Sequence, residues 1–369
     1  DANGMNQTVV SAGGKLSIQG KNTKVDNASL AYKELKFYGD GTTGTNNVTI
    51  ANNATFTPVK VNADGSKTVG SDVNIETNGD LTFDNATAKR AAYSLNFVRT
   101  TDGNVYDDGT VNAVDYSHTL KTANAVNLNA KSTQGNVNIQ NGSNIKTTKD
   151  MTFTSDNKNV NFKDSTLNAG QNIKIEATKG SVLASNDATA TAGNDLNVIS
   201  YNTITFGKSG DSNTTIDNTV DLNAGHNMNI ISTNGDINGE KTTMPTLEYG
   251  NRLTFNAKGD NTFTSEDSLK SVNVDYIAGG ANKFYTKSDI QFVNSSFEAP
   301  ENFIESGHDV ILNDLTIKSA TANAKDTVTQ IFANGNVTTN DVTGTAKSDV
   351  LASTKSFPQS VSTDRTGTG

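Results

Sequence analysis

A short phrase of residues recurs along this chain, and its spacing constrains the fold more than any other feature. In each copy a glycine or asparagine and a polar residue precede an apolar–polar–apolar triplet. Clear copies occupy residues 12–18, 70–75, 123–128, 169–175, 192–198 and 224–230, and looser copies occupy 250–255 and 306–312. The first apolar positions Val126, Met151, Ile173 and Leu196 are spaced 25, 22 and 23 residues apart. The period is therefore close to 22–25 residues, which is typical of a stacked-repeat protein.

A second apolar–polar–apolar triplet follows the first within each period. Met151 is followed by Val160, and Met228 is followed by Ile237, each at an offset of 9 residues. Alternation with a period of two indicates a β-strand, because successive side chains point to opposite faces. Turn dipeptides such as Asn78-Gly79 and Asn141-Gly142 separate the triplets. We interpreted them as sources of the positive φ angles that sharp turns need. Each period thus predicts two or three short strands joined by tight turns.

The composition agrees with a thin core. Of 369 residues only 33% are hydrophobic, whereas 50 are Asn and 51 are Thr. Coils of a parallel β-helix bury only a few inward side chains each and pair every strand with the coils above and below. The sequence therefore predicts an all-β parallel β-helix (solenoid) of roughly fifteen coils with a few extra-helical loops. An antiparallel sandwich also has short strands, but it does not explain the constant period.

The repeat predicts one solenoid over residues 1–351 and a linker or cap remnant over 352–369. Irregular insertions interrupt it near 84–121, 240–249 and 275–303. The first and third are rich in aromatic residues, including Tyr106, Tyr116 and Phe297. Insertions in solenoids often carry a binding surface. The alternative is that these segments are wide turns or extra coils whose aromatic side chains join the core.

Composition excludes several classes of function. No run of residues approaches the length and apolarity of a membrane-spanning helix, so membrane insertion is not expected. The formal charge of −9 disfavours nucleic acid as a partner. The absence of cysteine excludes disulfides, cysteine-ligated metals and thiol catalysis.

Residues suited to catalysis or metal binding are few. His226 and His308 occupy the same turn position of the repeat, where Gly, Gln and Asn stand in other copies, so we expect solvent-facing turns there. The adjacent acids Asp107-Asp108 and Glu266-Asp267 are the candidates for polysaccharide hydrolysis. Neighbours on a strand point to opposite faces, so neither pair forms a natural acid–base couple. We therefore expect no enzyme activity, no catalytic residues, no cofactor and no metal, and the ligand-binding residues are unknown.

The phrase over residues 167–182 resembles the repeat of filamentous-haemagglutinin-type exoproteins, as do residues 222–237 and 12–18. The resemblance covers about residues 11–350 and is strongest at 122–256. It implies a right-handed parallel β-helix that a Gram-negative bacterium exports by two-partner secretion through an outer-membrane transporter. It also implies display at the cell surface or release, with adhesion as the role. The Asn-Pro-Asn-Gly phrase of that family's secretion domain is not found, so the chain resembles a piece of the shaft.

These observations predict a non-catalytic adhesin segment that attaches to host cells, other bacteria or surfaces, or presents a terminal module. Its partner would be a surface receptor or glycan. One alternative is a self-assembling extracellular filament or surface-layer protein, that is, a homopolymer. A second alternative is a polysaccharide-cleaving β-helix enzyme.

Overall fold

The chain folds as an all-β parallel β-solenoid, which confirms the predicted fold class. The computed structural model describes residues 8–26, 28–42, 44–51, 54–70, 72–85, 94–96, 127–207, 219–240, 253–318, 327–344, 348–354, 359–360 and 364–365. The contacts divide the chain into two compact units, Asp1–Gly180 and Ser181–Gly369, called units 1 and 2 below. Neither unit contains a helix among its described residues.

The described residues of unit 1 form eighteen strands, all short. They are β1 (Thr8–Ser11), β2 (Lys15–Gln19), β3 (Asn22–Asp26), β4 (Ala28–Tyr32), β5 (Glu34–Tyr38), β6 (Asn47–Ala51), β7 (Thr55–Val61), β8 (Lys67–Val69), β9 (Asp72–Thr77), β10 (Leu81–Asp84), β11 (Ser94–Asn96), β12 (Asn127–Ser132), β13 (Val137–Gln140), β14 (Asn144–Thr147), β15 (Met151–Ser155), β16 (Val160–Lys163), β17 (Thr166–Ala169) and β18 (Ile173–Ala177).

Unit 2 contains the remaining twenty described strands. They are β19 (Val182–Ser185), β20 (Ala188–Ala192), β21 (Leu196–Ser200), β22 (Ile204–Phe206), β23 (Val220–Ala224), β24 (Met228–Ser232), β25 (Ile237–Glu240), β26 (Leu253–Ala257), β27 (Asn261–Ser265), β28 (Leu269–Val272), β29 (Val274–Ala278), β30 (Ala281–Thr286), β31 (Ile290–Glu298), β32 (Glu301–Ser306), β33 (Val310–Lys318), β34 (Thr327–Ala333), β35 (Val337–Gly344), β36 (Ser348–Thr354), β37 (Gln359–Ser360) and β38 (Asp364–Arg365).

In unit 1 the strands form three parallel ladders, one per side of each coil. The first joins β1 to β4 and β7, and also β11 to β14 and β17. The second joins β2 to β5, and separately joins β9, β12, β15 and β18. The third runs through β3, β6, β10, β13 and β16. Pairing with the next coil satisfies the backbone groups that short strands would otherwise expose.

Unit 2 repeats the same plan. Its second ladder runs through β21, β24, β27, β30, β32, β34 and β36. The first and third ladders merge in the long strands β31, β33 and β35, each of which serves two sides of a coil. The corner inside each long strand is a single residue with positive φ, namely Asn294 at 46°, Asp314 at 57° and Asp341 at 53°. Asn and Asp tolerate this left-handed conformation better than other non-glycine residues.

Alternation decides which side chains form the core. In β15 the residues Met151 and Phe153 point inward and are fully buried, whereas Thr152 and Thr154 point outward. The same pattern recurs in most described strands, so each coil buries a few apolar side chains. In unit 2, strands β22 to β31 enclose an interior stack of aromatic rings, in which the rings of Phe284 and Phe292 meet edge to face with centroids 4.8 Å apart.

Residues 275–303, for which we predicted an irregular insertion, lie in strands β29 to β32. Their aromatic residues Tyr276, Phe284 and Phe297 are buried in the interior stack. Pro300 lies in the turn before β32. The predicted insertions at 84–121 and 240–249 lie almost entirely outside the described residues. Of the predicted linker 352–369, the described residues belong to β36, β37 and β38.

The register corrects two details of the repeat. Leu128, rather than Val126, pairs with Met151. The repeat also predicts that Leu253, 25 residues after Met228, begins the next coil. Instead, Met228 pairs with Asn261 in the second ladder, and Leu253 belongs to the first ladder. The solenoid has about eleven turns, fewer than the roughly fifteen predicted. The physical reason is that coils such as the one from Met228 to Asn261 carry extra residues between their strands.

Not all glycines of the turn dipeptides have the positive φ angle that we predicted. Gly142 has a φ of 74°, as expected of a sharp turn. Gly79 does not have a positive φ; a Cβ there would lie 2.4 Å from the carbonyl oxygen of Asn46 on another coil. Such glycines are required because the backbones of neighbouring coils approach each other closely.

Candidate functional site

The outward side of the second ladder differs between the two units. In unit 1, strands β9, β12, β15 and β18 are polar or charged on this side, with Asp72, Asn74, Glu76, Asn127, Asn129, Lys131, Thr152, Thr154, Lys174 and Glu176 facing outward. In unit 2 the same side carries half-buried apolar residues, namely Ile199, Ile231, Tyr285, Phe303 and Phe332. Large apolar side chains on an outward sheet face are informative because the fold does not need them there.

The parallel register brings three of these side chains together. Tyr285 of β30 lies opposite Glu305 of β32, which in turn lies opposite Phe332 of β34. Phe303 lies two positions before Glu305 on the same outward side. The ring centroids of Tyr285 and Phe303 are 5.6 Å apart, and those of Phe303 and Phe332 are 5.4 Å apart. We call Tyr285, Phe303 and Phe332 the outer aromatic row.

Charged groups flank the outer aromatic row. The Nζ atom of Lys283 lies 2.7 Å from a carboxylate oxygen of Asp260. Hydrogen bonding to Asp260 raises the pKa of Lys283, and burial opposes that shift. Glu301 and Glu305 are exposed on the same strand as Phe303. The row is therefore an apolar strip bordered by both signs of charge.

This arrangement of aromatic and charged side chains is suited to binding a ligand rather than to catalysing a reaction. Aromatic rings present flat apolar faces, and stacking against a ligand stabilises a contact by about 0.5–1.5 kcal/mol beyond its area burial. The flanking carboxylates and ammonium can donate or accept hydrogen bonds that fix orientation. Flat apolar rings with polar neighbours suit the faces of sugar rings or the aromatic side chains of a protein.

Sequence reasoning found this surface only in part. Tyr285 and Phe303 fall in the predicted insertion 275–303, but the aromatic residues of that segment divide between the core and the surface. Phe332 lies outside it and was missed. The strand Thr327–Ala333 alternates buried and half-buried residues, so the period-two pattern of its sequence was the signal that could have placed Phe332 outward.

The histidines and acids considered from the sequence lie in turns or outside the described residues. Asp107 and Asp108 lie outside them, as does His118, the third histidine of the sequence. Glu266 and Asp267 lie in the exposed turn after β27, not on a strand as we assumed, and Glu266 forms an ion pair with Lys287.

The two remaining histidines occupy equivalent turns, each beside an aspartate of another coil. His226 Nδ1 lies 2.9 Å from Asp195 Oδ1, and His308 Nδ1 lies 2.5 Å from Asp289 Oδ1.

The turn around His308 contains the donor types that a metal ion prefers. Ligand atoms of Asp289, His308 and Asp309 all lie within 4.8 Å of one another. The Nδ1 atom of His308 is engaged by Asp289, and the Oδ1 atoms of both aspartates accept backbone N–H groups. Hydrogen bonding to Asp289 raises the pKa of His308, and hydrogen bonding to His308 lowers the pKa of Asp289. These contacts describe a structural ion pair that joins two coils.

No protein-family model, curated protein or solved structure gives a significant match to the chain. Within the described residues, no helix has the length and apolarity needed to cross a membrane.

Proposed function

We propose that the chain is a non-catalytic segment of a bacterial adhesin, displayed at the cell surface or secreted, in which the solenoid is the shaft and the outer aromatic row contacts a receptor or glycan. The observation that carries this proposal is the outer aromatic row itself. It places three large apolar side chains on an outward sheet side, where the core does not require them.

Export by two-partner secretion through an outer-membrane transporter belongs to the same proposal. It is supported by the resemblance of the repeat over residues 167–182 and 222–237 to filamentous-haemagglutinin-type exoproteins. The parallel solenoid is compatible with that resemblance. Low affinity at a single row would be raised by the presence of many copies on one surface.

Pairing at the ladder ends favours an adhesin over a self-assembling filament. Strand β37 pairs antiparallel with β36, the final described parallel strand of the second ladder of unit 2. A short antiparallel strand occupies an edge that could otherwise pair with another chain. A polysaccharide-cleaving enzyme remains a separate hypothesis.

The test is binding of the purified chain to a glycan array and to intact host and bacterial cells. A variant with Tyr285, Phe303 and Phe332 all changed to alanine should lose at least about tenfold in affinity, since three stacking contacts are removed. The matched control is Tyr201→Ala, which removes an exposed tyrosine from a turn of the same unit.

Three results would count against the proposal. The first is binding that the triple variant leaves unchanged. The second is concentration-dependent polymers together with blank arrays and cells, which would favour the filament. The third is cleavage of a polysaccharide that disappears when Glu266 and Asp267, or Asp107 and Asp108, are changed to Gln and Asn.

A further inference from the structure

Strand β32 places two carboxylates beside the central ring of the outer aromatic row. Glu301, Phe303 and Glu305 alternate with buried residues, so all three face outward. The two glutamates are exposed, whereas Phe303 is half-buried. At a rise of about 3.3 Å per residue, the Cα atom of each glutamate lies about 7 Å from that of Phe303. A ring with a carboxylate on either side along the strand is therefore exposed on this surface.

The parallel register places further rings beside Glu305 but not beside Glu301. Glu305 lies opposite Tyr285 of β30 on one side and opposite Phe332 of β34 on the other. Glu301 lies opposite an alanine of β30 and a valine of β34. Phe303 precedes Glu305 by two positions on the same outward side. Glu305 therefore has an aromatic residue as its outward neighbour on three sides.

No cation among the described residues pairs with Glu305 or lies over the rings around it. Lys283 faces outward on β30, but its Nζ atom is held by Asp260 at 2.7 Å. In unit 1, by contrast, Lys36 lies over the ring of Tyr38 on its own strand, with Nζ 5.6 Å from the ring centroid. The fold thus supplies a cation to that outward ring, whereas the described part of unit 2 supplies none to the outer aromatic row.

The groups beside the outer aromatic row favour a ligand of positive charge. Three of the charged side chains named there are carboxylates, namely Asp260, Glu301 and Glu305, and Lys283 is the ammonium among them. The faces of aromatic rings also carry partial negative charge, which attracts cations. The surface and the rings therefore select a ligand of the same sign, and an acidic partner would be repelled.

We propose that Glu305 and the outer aromatic row bind an arginine side chain of a partner protein. A guanidinium group is planar, stacks on aromatic faces and pairs with a carboxylate through two parallel N–H donors. It is also more weakly hydrated than an ammonium group, so its transfer onto the rings costs less. A neutral sugar would stack on the rings but leave the charge of Glu305 without a partner of opposite sign. The inference rests on the proposed function, because it takes the row as the contact surface and names the group that the row receives.

The probe is the capped peptide acetyl-Thr-Thr-Arg-Thr-Thr-amide, titrated into the full chain and followed by the NMR signals of the three rings. One control peptide has citrulline in place of arginine, which keeps the planar shape without the charge. A second control peptide has lysine, which keeps the charge without the planar group. A single side chain binds weakly, so we expect a Kd in the millimolar range. The arginine peptide should bind at least about fivefold more tightly than either control.

Two glutamates of one strand distinguish a specific site from general attraction to an acidic surface. Glu305→Gln and Glu301→Gln remove the same charge from exposed positions, but only Glu305 lies opposite rings on both neighbouring strands. Glu305→Gln should weaken the arginine peptide by about tenfold, because a hydrogen-bonded charge pair is lost. Glu301→Gln should weaken it by less than about twofold, because a charge about 13 Å along the strand is largely screened at physiological salt.

A ring variant tests the aromatic contribution separately. Phe332→Leu keeps an apolar side chain at a half-buried position but removes the aromatic face, so it should weaken the arginine peptide by about threefold. The same variant should change the binding of the lysine peptide less, because an ammonium group does not stack on a ring. An unchanged affinity for the arginine peptide would show that the ring takes no part and would overturn the site.

The inference fails if the citrulline peptide binds as tightly as the arginine peptide, or if Glu305→Gln and Glu301→Gln weaken binding equally. It also fails if choline, a quaternary ammonium without N–H donors, binds more tightly than the arginine peptide, which would assign the site to a lipid headgroup. The proposed function can survive these results. Cell or glycan binding that is lost in the triple alanine variant but unchanged in Glu305→Gln would keep the outer aromatic row as the contact surface and reject arginine as its ligand.

Discussion

Asp150 accepts two hydrogen bonds from Asn172 of the next coil. Its Oδ1 atom accepts the N–H of Asn172 at 3.0 Å and the side-chain amide of Asn172 at 2.9 Å. The N–H of Asp150 in turn donates to Oδ1 of Asn127 at 3.1 Å. The same relation recurs in unit 2, where Asp260 donates to Asn227 at 2.9 Å. Turn side chains thus continue the ladder where the strands end.

Changing Asp150 to alanine should destabilise unit 1 by about 1–2 kcal/mol, because a partly buried N–H loses its acceptor. Asp150→Asn keeps an oxygen at the same position and should cost less than half as much. Chemical denaturation of both variants measures the difference. Equal loss in both variants would show that charge, rather than the acceptor, matters at this turn.

Changing Gly225 to alanine should destabilise unit 2 by about 1–3 kcal/mol, the usual cost of overpacking. A Cβ at Gly225 would lie 2.0 Å from the carbonyl oxygen of Gly193, so two coils must move apart. The control is Gly13→Ala, where a Cβ meets no atom within 4 Å. Thermal unfolding compares the two, and a Gly225 variant as stable as the control would contradict the close approach.

Removing the hydroxyl from each of two buried tyrosines should change the stability of the protein in opposite directions. The Tyr32 hydroxyl is buried and has no hydrogen-bond partner among the described residues, whereas the Tyr276 hydroxyl donates to Ser271 Oγ at 2.9 Å. Burial raises the pKa of both well above the usual range, so both hydroxyls stay protonated. Tyr32→Phe should stabilise the protein slightly, and Tyr276→Phe should destabilise it by about 1 kcal/mol. Denaturation midpoints of the two variants test this, and shifts in the same direction would contradict it.

The His308–Asp289 ion pair should depend on pH in a defined window. The pKa of His308 is raised from 6.5, so its stabilisation is fully present below pH 6.5 and is lost as pH rises through the raised value. The pKa of Asp289 is lowered from 3.8, so its stabilisation is present above pH 3.8 and is lost as pH falls through the lowered value. The pair therefore contributes most between pH 3.8 and 6.5.

Titration of the His308 imidazole by NMR measures this effect directly. The variant Asp289→Asn should lower the pKa of His308 toward its ordinary value, although Asp309 continues to raise it. Glu266→Gln, in a turn of the same unit, is the control and should leave the titration unchanged. An unchanged His308 titration in Asp289→Asn would show that the two groups do not interact in solution.

The sequence by itself determined the fold class. Alternating apolar and polar residues identify the strands, and the recurring period indicates that the strands stack in coils. Met151 and Val160 begin strands, as their triplets predict. The sequence also placed His226 and His308 in equivalent exposed turns. These are local properties, and each requires only the residues of one coil.

Tertiary structure alone decided which residues meet between coils. Insertions change the length of a coil. The spacing in the sequence therefore paired Met228 with Leu253, which belongs to a different ladder, and it did not reveal that Phe303 contacts Phe332. The lack of a ladder pairing between the described strands β5 and β9 was equally invisible, because each strand has an ordinary alternating sequence. The alternation that defines a strand is present in every repeat. Register depends on the length of chain between repeats, and this length fixes which residues face each other only when the coils stack.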